Sequence, residues 1–217
     1  MPHATPVDSP LRPIRLHGHP LSGHVHRVEL FLSLLGLPFE KRTVDFTCGE
    51  HKRPEFLALN PFGQLPVIED GELVIADSNA ILIYLALTYD ASAQWLPRDA
   101  IGAARVQRWL SVAAGQLAHG PAAARVAVLF GRPQDQAPRD ASARLFALLD
   151  QHLTTQDFLA AAHPTIADLA LYGYTAHAPE GGVSLAPYAA LRRWLARIEA
   201  LPRFVGMQRS AVPEATA

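Results

Sequence analysis

The apolar positions in the first half of the chain switch between two periodicities, which together predict a mixed α/β domain. Short alternating runs indicate strands, and apolar residues three and four apart indicate helices. Their order along the chain, β-α-β-α-β-β-α, is the thioredoxin-like order. The predicted elements are a strand at Ile14–Gly18, a helix ending at Gly36, a strand at Phe39–Phe46, a short helix near Pro54–Leu59, a hairpin at 66–75 and a helix from Ser78 to about Tyr89.

After Leu96-Pro97 the strand signals stop, and three amphipathic stripes predict a helical domain. We therefore expect an α/β thioredoxin-like N-terminal domain over residues 14–90, a linker at 91–98 and an all-α C-terminal helical domain over residues 99–210. The spacing of Thr165 and Asp168 predicts a capping box, with a role in folding. The stripes are Val106, Trp109, Leu110, Ala113 and Leu117; Leu145, Leu148, Leu149 and His152; and Tyr188, Leu191, Trp194, Leu195 and Ile198.

The segment Asn60–Ser78, NPFGQLPVIEDGELVIADS, contains the most specific local signals in the chain. Asp70-Gly71 between two apolar runs is a strong hairpin signal, and Pro66 stands at the start of the first run. A cis proline there would expose neighbouring backbone groups to a ligand. Asp77 or Ser78 caps the helix that follows, and a helix N-terminus is a ready anion site. Together these features predict a pocket for a peptide-like ligand.

Composition narrows the class of protein. Apolar residues make up 49% of the 217 residues and charged residues 18%, which supplies a packed core and argues against disorder. The net charge of −1, without a dense Lys/Arg block, lacks the footprint of a nucleic-acid partner. No apolar run approaches the roughly 20 residues that span a bilayer, so we expect no membrane partner. The single cysteine, Cys48, cannot form an internal disulfide, which fits a cytoplasmic protein.

Three motifs occur along the chain in a fixed order: Leu16–Gly23, then Leu65-Pro66-Val67 with Asp77-Ser78, then Thr165–Asp168. In this order they resemble the soluble glutathione transferase family, specifically its serine-type, theta-like bacterial members. The resemblance covers roughly residues 14 to 205. It implies an enzyme that uses glutathione as a substrate, without a metal, and joins the glutathione thiolate to a small electrophile in detoxification.

In this family a hydroxyl or thiol after the first strand donates to the glutathione sulfur and favours the thiolate. No tyrosine precedes Tyr84 and no cysteine precedes Cys48. The resemblance therefore points to Ser22, which begins a run similar to the family's Ser-Gly-x-x-x-(Lys/Arg). The alternative is that Ser22 only caps the following helix. His24 is expected to be a second donor near the sulfur or to help deprotonate it, and otherwise to be a solvent-exposed first-turn histidine.

Four histidines crowd this region, namely His17, His19, His24 and His26. The two His-x-His pairs raise the question of a metal site. However, on a helix His24 and His26 diverge by about 200°. No acidic or thiol ligand lies among the four to complete a catalytic zinc site. We therefore expect no metal.

The resemblance also assigns the contacts of glutathione beyond its sulfur. Val67, next to Pro66, is expected to pair its backbone N–H and C=O with the cysteinyl part, as in strand addition to an exposed edge. The γ-glutamyl carboxylate would meet the Ser78 hydroxyl and the helix N-terminus. Asp77 would face the α-ammonium group, and its alternative role is that of a helix cap.

Gln64 or His51 is expected to reach the glycyl carboxylate, with Lys52 as a competitor, although this polar stretch can equally be a solvated loop.

Two rival functions remain open. One is a glutathione-dependent isomerase or dehalogenase that uses the same Ser22 site, and the other is a non-catalytic binding or scaffold protein of this fold. We also expect a homodimer, because the helix at Ala80–Leu87 is apolar all round and family members pair along this region.

Overall fold

In a computed structural model of the chain, residue 10, residues 12–46 and residues 48–210 are described, and they form two compact units. The first unit ends at Pro97 and also includes Leu201–Met207. The second comprises Arg98–Ala200 and resumes at Gln208. Leu201–Met207 thus lies inside the range 99–210 that we predicted for the helical domain. Within the described ranges, every helix falls short of the length or the apolar character that crossing a bilayer requires.

The first unit is a four-stranded mixed sheet with helices, which confirms the predicted thioredoxin-like fold class. Its elements are β1 (Ile14–Gly18), α1 (Gly23–Leu35), β2 (Phe39–Thr43), a 3₁₀ turn (Glu50–Lys52), α2 (Pro54–Leu59), β3 (Val67–Asp70), β4 (Leu73–Ala76) and α3 (Ser78–Tyr89). The strands lie in the order β2-β1-β3-β4, so β3 is an interior strand and β2 and β4 are the edges. Strand β1 is parallel to β2 and antiparallel to β3, which is antiparallel to β4.

Strand β2 ends at Thr43, whereas the sequence predicted that it would continue to Phe46. Thr43 pairs with Gly18, which is the last residue of β1. Beyond this pair β2 has no partner in register, so the ladder stops even though the local sequence could continue as a strand.

A glycine brings the end of β1 close to α1. A Cβ atom on Gly18 would lie only 2.3 Å from Cγ1 of Val25, in the first turn of α1. Only a residue without a side chain allows this approach. Ile14 and Leu16 point to the same face of β1 as Gly18 and are buried. This packing fixes the short turn between β1 and α1, which contains Ser22.

The described part of the second unit is helical, as predicted. Its elements are α4 (Ala100–Val112), a π-helical segment (Ala113–Ala122), α5 (Ala123–Leu129), α6 (Gln136–His152), α7 (Ile166–Ala176), a 3₁₀ turn (Ala178–Gly181) and α8 (Ala189–Glu199). Trp194 and Phe146 are the largest apolar side chains that it buries completely. Leu148, which we placed on the apolar stripe of α6, is instead 65% exposed. It lies about 100° round the helix from the buried Leu149, at the margin of the apolar face.

Asp168 is completely buried at the start of α7, and its carboxylate accepts four hydrogen bonds. The donors are the backbone N–H groups of Leu159 and Thr165, the Thr165 hydroxyl and the indole N–H of Trp194, at 2.8–3.1 Å. The predicted capping box of Thr165 and Asp168 is confirmed. Burial raises the pKa of Asp168 above its ordinary value, against the opposing effect of the four donors. Asp168 therefore ties α7 to α8 and to the segment before α7.

Replacing Asp168 by alanine should lower the free energy of unfolding by about 3–5 kcal/mol, because four donors lose their acceptor inside the core. Denaturant unfolding followed by circular dichroism measures this change. Asp140→Ala, at an exposed position of α6, is the control and should shift the value by less than about 0.5 kcal/mol. An Asp168→Ala loss as small as that of the control would contradict this role.

Candidate active site

Ser22 is the N-cap residue of α1, in the turn that follows β1. Its backbone is extended, with φ −89° and ψ 117°, and its Oγ accepts a hydrogen bond from the Val25 N–H at 3.3 Å. Capping uses a lone pair of the hydroxyl and leaves its proton able to donate to a ligand. The two roles that the sequence left open for Ser22, helix cap and hydrogen-bond donor, are therefore compatible.

Asp77 and Ser78 form the start of α3. Asp77 is the N-cap, and its Oδ1 accepts hydrogen bonds from the N–H groups of Asn79 and Ala80, both at 2.9 Å. Its φ of 73° lies in the left-handed region, which is uncommon for a residue other than glycine. Ser78 is buried as the first residue of the helix. Backbone strain of this kind persists where the surrounding structure holds it, often at ligand sites.

A buried guanidinium from α1 reaches this helix start. Arg27 is 1% exposed, and its Nη1 donates to Ser78 Oγ at 3.2 Å and to Asn79 Oδ1 at 2.8 Å. The positive charge of Arg27 thus adds to the positive end of the α3 dipole. Sequence reasoning gave Arg27 no role. The available signal was its place at the end of the Ser-Gly-x-x-x-(Lys/Arg) run, but its partners lie 51 and 52 residues away.

His24 lies beside the same serine, with Nδ1 at 3.4 Å from Ser78 Oγ. Its side chain is partly buried, unlike the exposed first-turn histidine that we kept as an alternative. Burial, and secondly the charge of Arg27, lower the pKa of His24 from 6.5 to about 3. The ring is therefore neutral near pH 7. Its contact links it to Ser78, the residue expected to meet the γ-glutamyl carboxylate.

The Leu65–Pro66 peptide bond is cis, and Pro66 directly precedes β3. Val67, the first residue of β3, pairs with His17 of β1 on one side and with Ala76 of β4 on the other. The N–H and C=O of one residue in a strand point to the same side, so the Val67 groups face a neighbouring strand. The exposed edge that we expected at Val67 is therefore not present. Leu65, which directly precedes Pro66, is not part of either ladder.

The loop residues expected near the glycyl carboxylate differ in their surroundings. Gln64 is exposed, and its backbone carbonyl accepts a hydrogen bond from Asn60 Nδ2 at 2.9 Å. The ring of His51 packs against Phe46, with centroids 4.5 Å apart. Its Nδ1 is buried and has no hydrogen-bond partner among the described residues, an arrangement that calls for a ligand or water. Lys52 donates to the Phe62 carbonyl at 3.3 Å.

The other three crowded histidines have separate surroundings. His17 Nε2 donates to Glu69 Oε1 at 2.6 Å. His19 Nδ1 accepts from the Leu21 N–H at 3.3 Å, and His26 Nε2 donates to the Val205 carbonyl at 2.8 Å. The divergence of His24 and His26 along α1 is as the helical geometry predicted. Among the described residues, no group of three or more metal-ligating side chains converges.

Comparison with models of protein families finds a match for each of the two units. Residues 12–87 match the family model described as glutathione S-transferase, N-terminal domain, and residues 121–202 match glutathione S-transferase, C-terminal domain. Glutathione S-transferase 3 of Zea mays is 34% identical over 206 residues, which cover 89% of this chain and 92% of that protein.

Solved structures agree with this assignment. A glutathione S-transferase from Pseudomonas fluorescens shares 32% identity with a TM-score of 0.83, covering 90% of this chain and 99% of that one. A glutathione transferase homolog from Drosophila mojavensis, solved with bound glutathione, shares 29% identity with a TM-score of 0.78, covering 88% and 89%. The chain therefore belongs to the glutathione S-transferase family.

Proposed function

We propose that the chain is a glutathione transferase that joins the thiolate of glutathione to a small electrophile, with Ser22 as the donor to the sulfur. One observation carries the assignment of the site: Arg27, on the helix that Ser22 caps, donates to Ser78 at the start of α3. This bond connects the part of the site that would hold the sulfur with the part that would hold the γ-glutamyl group. Family membership favours transfer over the isomerase, dehalogenase and scaffold alternatives.

The sulfur would lie at the N-terminus of α1. A free thiol has a pKa of about 8.5, and only its thiolate is strongly nucleophilic. The Ser22 hydroxyl can donate to that thiolate while its lone pair still accepts from Val25. The dipole of α1 favours negative charge at the same place. Both effects lower the pKa of the bound thiol toward neutral pH.

The γ-glutamyl group would lie at the N-terminus of α3. Its carboxylate would accept from the Ser78 hydroxyl and would lie at the positive end of the α3 dipole. The buried charge of Arg27 favours an anion there, and the lowered pKa of His24 keeps that ring neutral. Asp77 is exposed and uses Oδ1 for both capping bonds, so Oδ2 can accept from the ligand's α-ammonium group.

The remainder of glutathione would follow the loop before β3. Because the Val67 backbone faces neighbouring strands, the backbone of Leu65, outside both ladders, is the better partner for the cysteinyl amide, and Pro66 and Val67 hold it in place. His51 and the exposed Gln64 remain the candidates for the glycyl carboxylate. The glutathione bound to the Drosophila mojavensis homolog supports a site for this ligand in the fold. We place the enzyme in the cytoplasm, where an exposed free thiol such as Cys48 stays reduced, with a role in detoxification.

Three replacements at Ser22 separate its two roles. Ser22→Gly removes the hydroxyl at a capping cost of only a few tenths of a kcal/mol, Ser22→Ala removes hydroxyl and cap, and Ser22→Thr keeps both. We expect Ser22→Gly and Ser22→Ala to lose the ultraviolet thiolate absorbance of bound glutathione. Turnover of an activated aryl halide should fall by about 10- to 100-fold, the effect of one hydrogen bond to a charged group. Ser22→Thr should retain most of both signals.

Ser33→Ala is the matched control, since Ser33 is also on α1 but donates to the Arg203 carbonyl. Calorimetry of glutathione binding accompanies each variant. If Ser22→Gly binds glutathione with undiminished thiolate absorbance, the serine mechanism is wrong. Absence of glutathione binding by the wild-type chain would instead favour the scaffold alternative.

The environment of His24 predicts a pH dependence of stability. His24 titrates near pH 6.5 in the unfolded chain, and burial lowers its pKa to about 3 in the folded chain. Between these values the unfolded chain binds more protons, so the contribution of His24 is complete above about pH 6.5 and is lost as the pH falls toward 3. When the pH falls from about 7 to about 5, the free energy of unfolding should fall less for His24→Gln than for wild type. The difference between the two losses should be at most about 2 kcal/mol.

Denaturant midpoints over this pH range measure the difference. His119→Gln, at an exposed position, serves as the control and should follow the wild-type curve more closely. Parallel curves for His24→Gln and wild type would contradict a lowered pKa of His24 in the folded chain.

The homodimer remains part of the proposal. Helix α3 buries Ile81, Leu82 and Leu85 within the first unit, but its Leu87 is exposed. Leu73 and Val74 are also exposed, on the edge strand β4. Exposed large apolar side chains on an unpaired edge favour association with another chain. A second copy with the same surface would cover them in a two-fold dimer.

Sedimentation velocity at micromolar concentration should show a dimer for the wild-type chain. Val74→Lys combined with Leu87→Glu should shift the protein to monomer, because two charges would be buried in the interface. Leu148→Glu, an equally drastic change at an exposed leucine of the second unit, should leave the dimer intact. A single monomer peak for wild type would refute the dimer.

A further inference from the structure

His24 joins two elements of the first unit, α1 and α3. Its Nδ1 lies 3.4 Å from Oγ of Ser78, which is 54 residues away in sequence. From the sequence we expected His24 to act near the glutathione sulfur. The contact instead places its ring beside the helix start that is proposed to hold the γ-glutamyl carboxylate.

The Ser78 hydroxyl has one proton and two lone pairs to share among its partners. Ser78 is 4% exposed, so few partners can reach it. Arg27 Nη1 occupies one lone pair from 3.2 Å, and a guanidinium can only donate. The proton and the second lone pair are therefore left for His24 and for a ligand.

The tautomer of His24 decides how these two are divided. The ring is neutral near pH 7, because burial and secondly the charge of Arg27 lower its pKa, so only one of its two nitrogens carries a proton. If Nδ1 is unprotonated, it accepts the Ser78 proton, and the hydroxyl turns a lone pair toward a ligand carboxylate, which is repulsive. If Nδ1 carries the proton, it donates to the second lone pair of Ser78, and the hydroxyl proton is left for the carboxylate.

We propose that His24 is a positioning residue for the Ser78 hydroxyl and acts in the tautomer that carries its proton on Nδ1. Arg27 and His24 then fill both lone pairs of Ser78 Oγ, so the hydroxyl can only donate. This role rests on the proposed function, because the acceptor is the γ-glutamyl carboxylate of glutathione. A ligand with a hydrogen-bond donor in place of that carboxylate would meet no open acceptor on Ser78 and would be rejected.

The role of His24 is separate from ionisation of the thiol. The Ser22 hydroxyl has its own partner, the Val25 N–H at 3.3 Å, whereas the Nδ1 of His24 is engaged at Ser78. We therefore expect His24 to determine how tightly glutathione binds and not how far its thiol ionises.

The test compares glutathione with γ-aminobutyryl-cysteinylglycine, in which a hydrogen replaces the α-carboxylate. His24→Leu removes the Nδ1 donor, and His24→Asn keeps an amide donor in its place. We expect His24→Leu to weaken glutathione binding about tenfold, the effect of one hydrogen bond to a charged group, and to leave the affinity for the truncated ligand within about twofold of wild type. His24→Asn should retain most of the glutathione affinity. Calorimetry measures glutathione binding, and competition against glutathione measures the weaker truncated ligand.

His26→Leu is the matched control, since His26 is a buried histidine of the same helix whose Nε2 donates to the Val205 carbonyl at 2.8 Å. It should change the affinities for both ligands by the same factor, as any general disturbance of α1 would. At saturating glutathione, the ultraviolet thiolate absorbance of His24→Leu should match that of wild type, in contrast to Ser22→Gly.

Equal losses for both ligands in His24→Leu would overturn the role of His24 and leave the proposed function intact. A loss in His24→Asn as large as that in His24→Leu would do the same. Absence of glutathione binding by the wild-type chain would overturn both. If His24→Leu does not fold, His24→Gln takes its place, because its amide lies one carbon farther from the backbone than Nδ1 and should lose glutathione affinity in the same way.

Discussion

The guanidinium of Arg27 is buried in the first unit and donates to two side chains at the start of α3, Ser78 and Asn79. A charged group taken out of water needs such partners, because an uncompensated buried charge would cost several kcal/mol. The bonds therefore restrict how α1 and α3 can move relative to each other. Since α1 begins at Ser22, they also fix the spacing between the two helix N-termini on which the proposed glutathione site is built.

Local chemistry was enough to predict most of the first unit. The predicted hairpin forms: β3 ends at Asp70, β4 begins at Leu73, and Gly71 in the turn between them has φ 61°. Helix α3 begins at Ser78, as its capping signal indicated. The same signals brought Ser22, Asp77 and Ser78 to helix starts. These features depend on residues close in sequence, so the sequence specifies them directly.

The errors lie where a feature depends on distant segments. Strand β2 stops with its partner β1, and β3 lies inside the sheet because β1 and β4 both pair with it. A strand's own sequence does not distinguish an edge from an interior position, so the expected free edge at Val67 could not be checked locally. The contact of Arg27 with Ser78 was missed for the same reason. The same limit applies to the histidines of the first unit. His17, His19, His24 and His26 lie close together in sequence, but each contacts a different partner in the structure.

The segment Leu201–Met207 has a consequence for how this protein is made. Its Val205 and Arg203 carbonyls accept hydrogen bonds from His26 and Ser33 of α1, across 179 and 170 residues of sequence. During translation, N-terminal domains usually fold first, as the chain emerges at about 5–20 residues per second. Here α1 cannot acquire these two bonds until Arg203 and Val205 have left the ribosome. The helix that positions Ser22 and Arg27 is thus completed only long after its own residues have been translated.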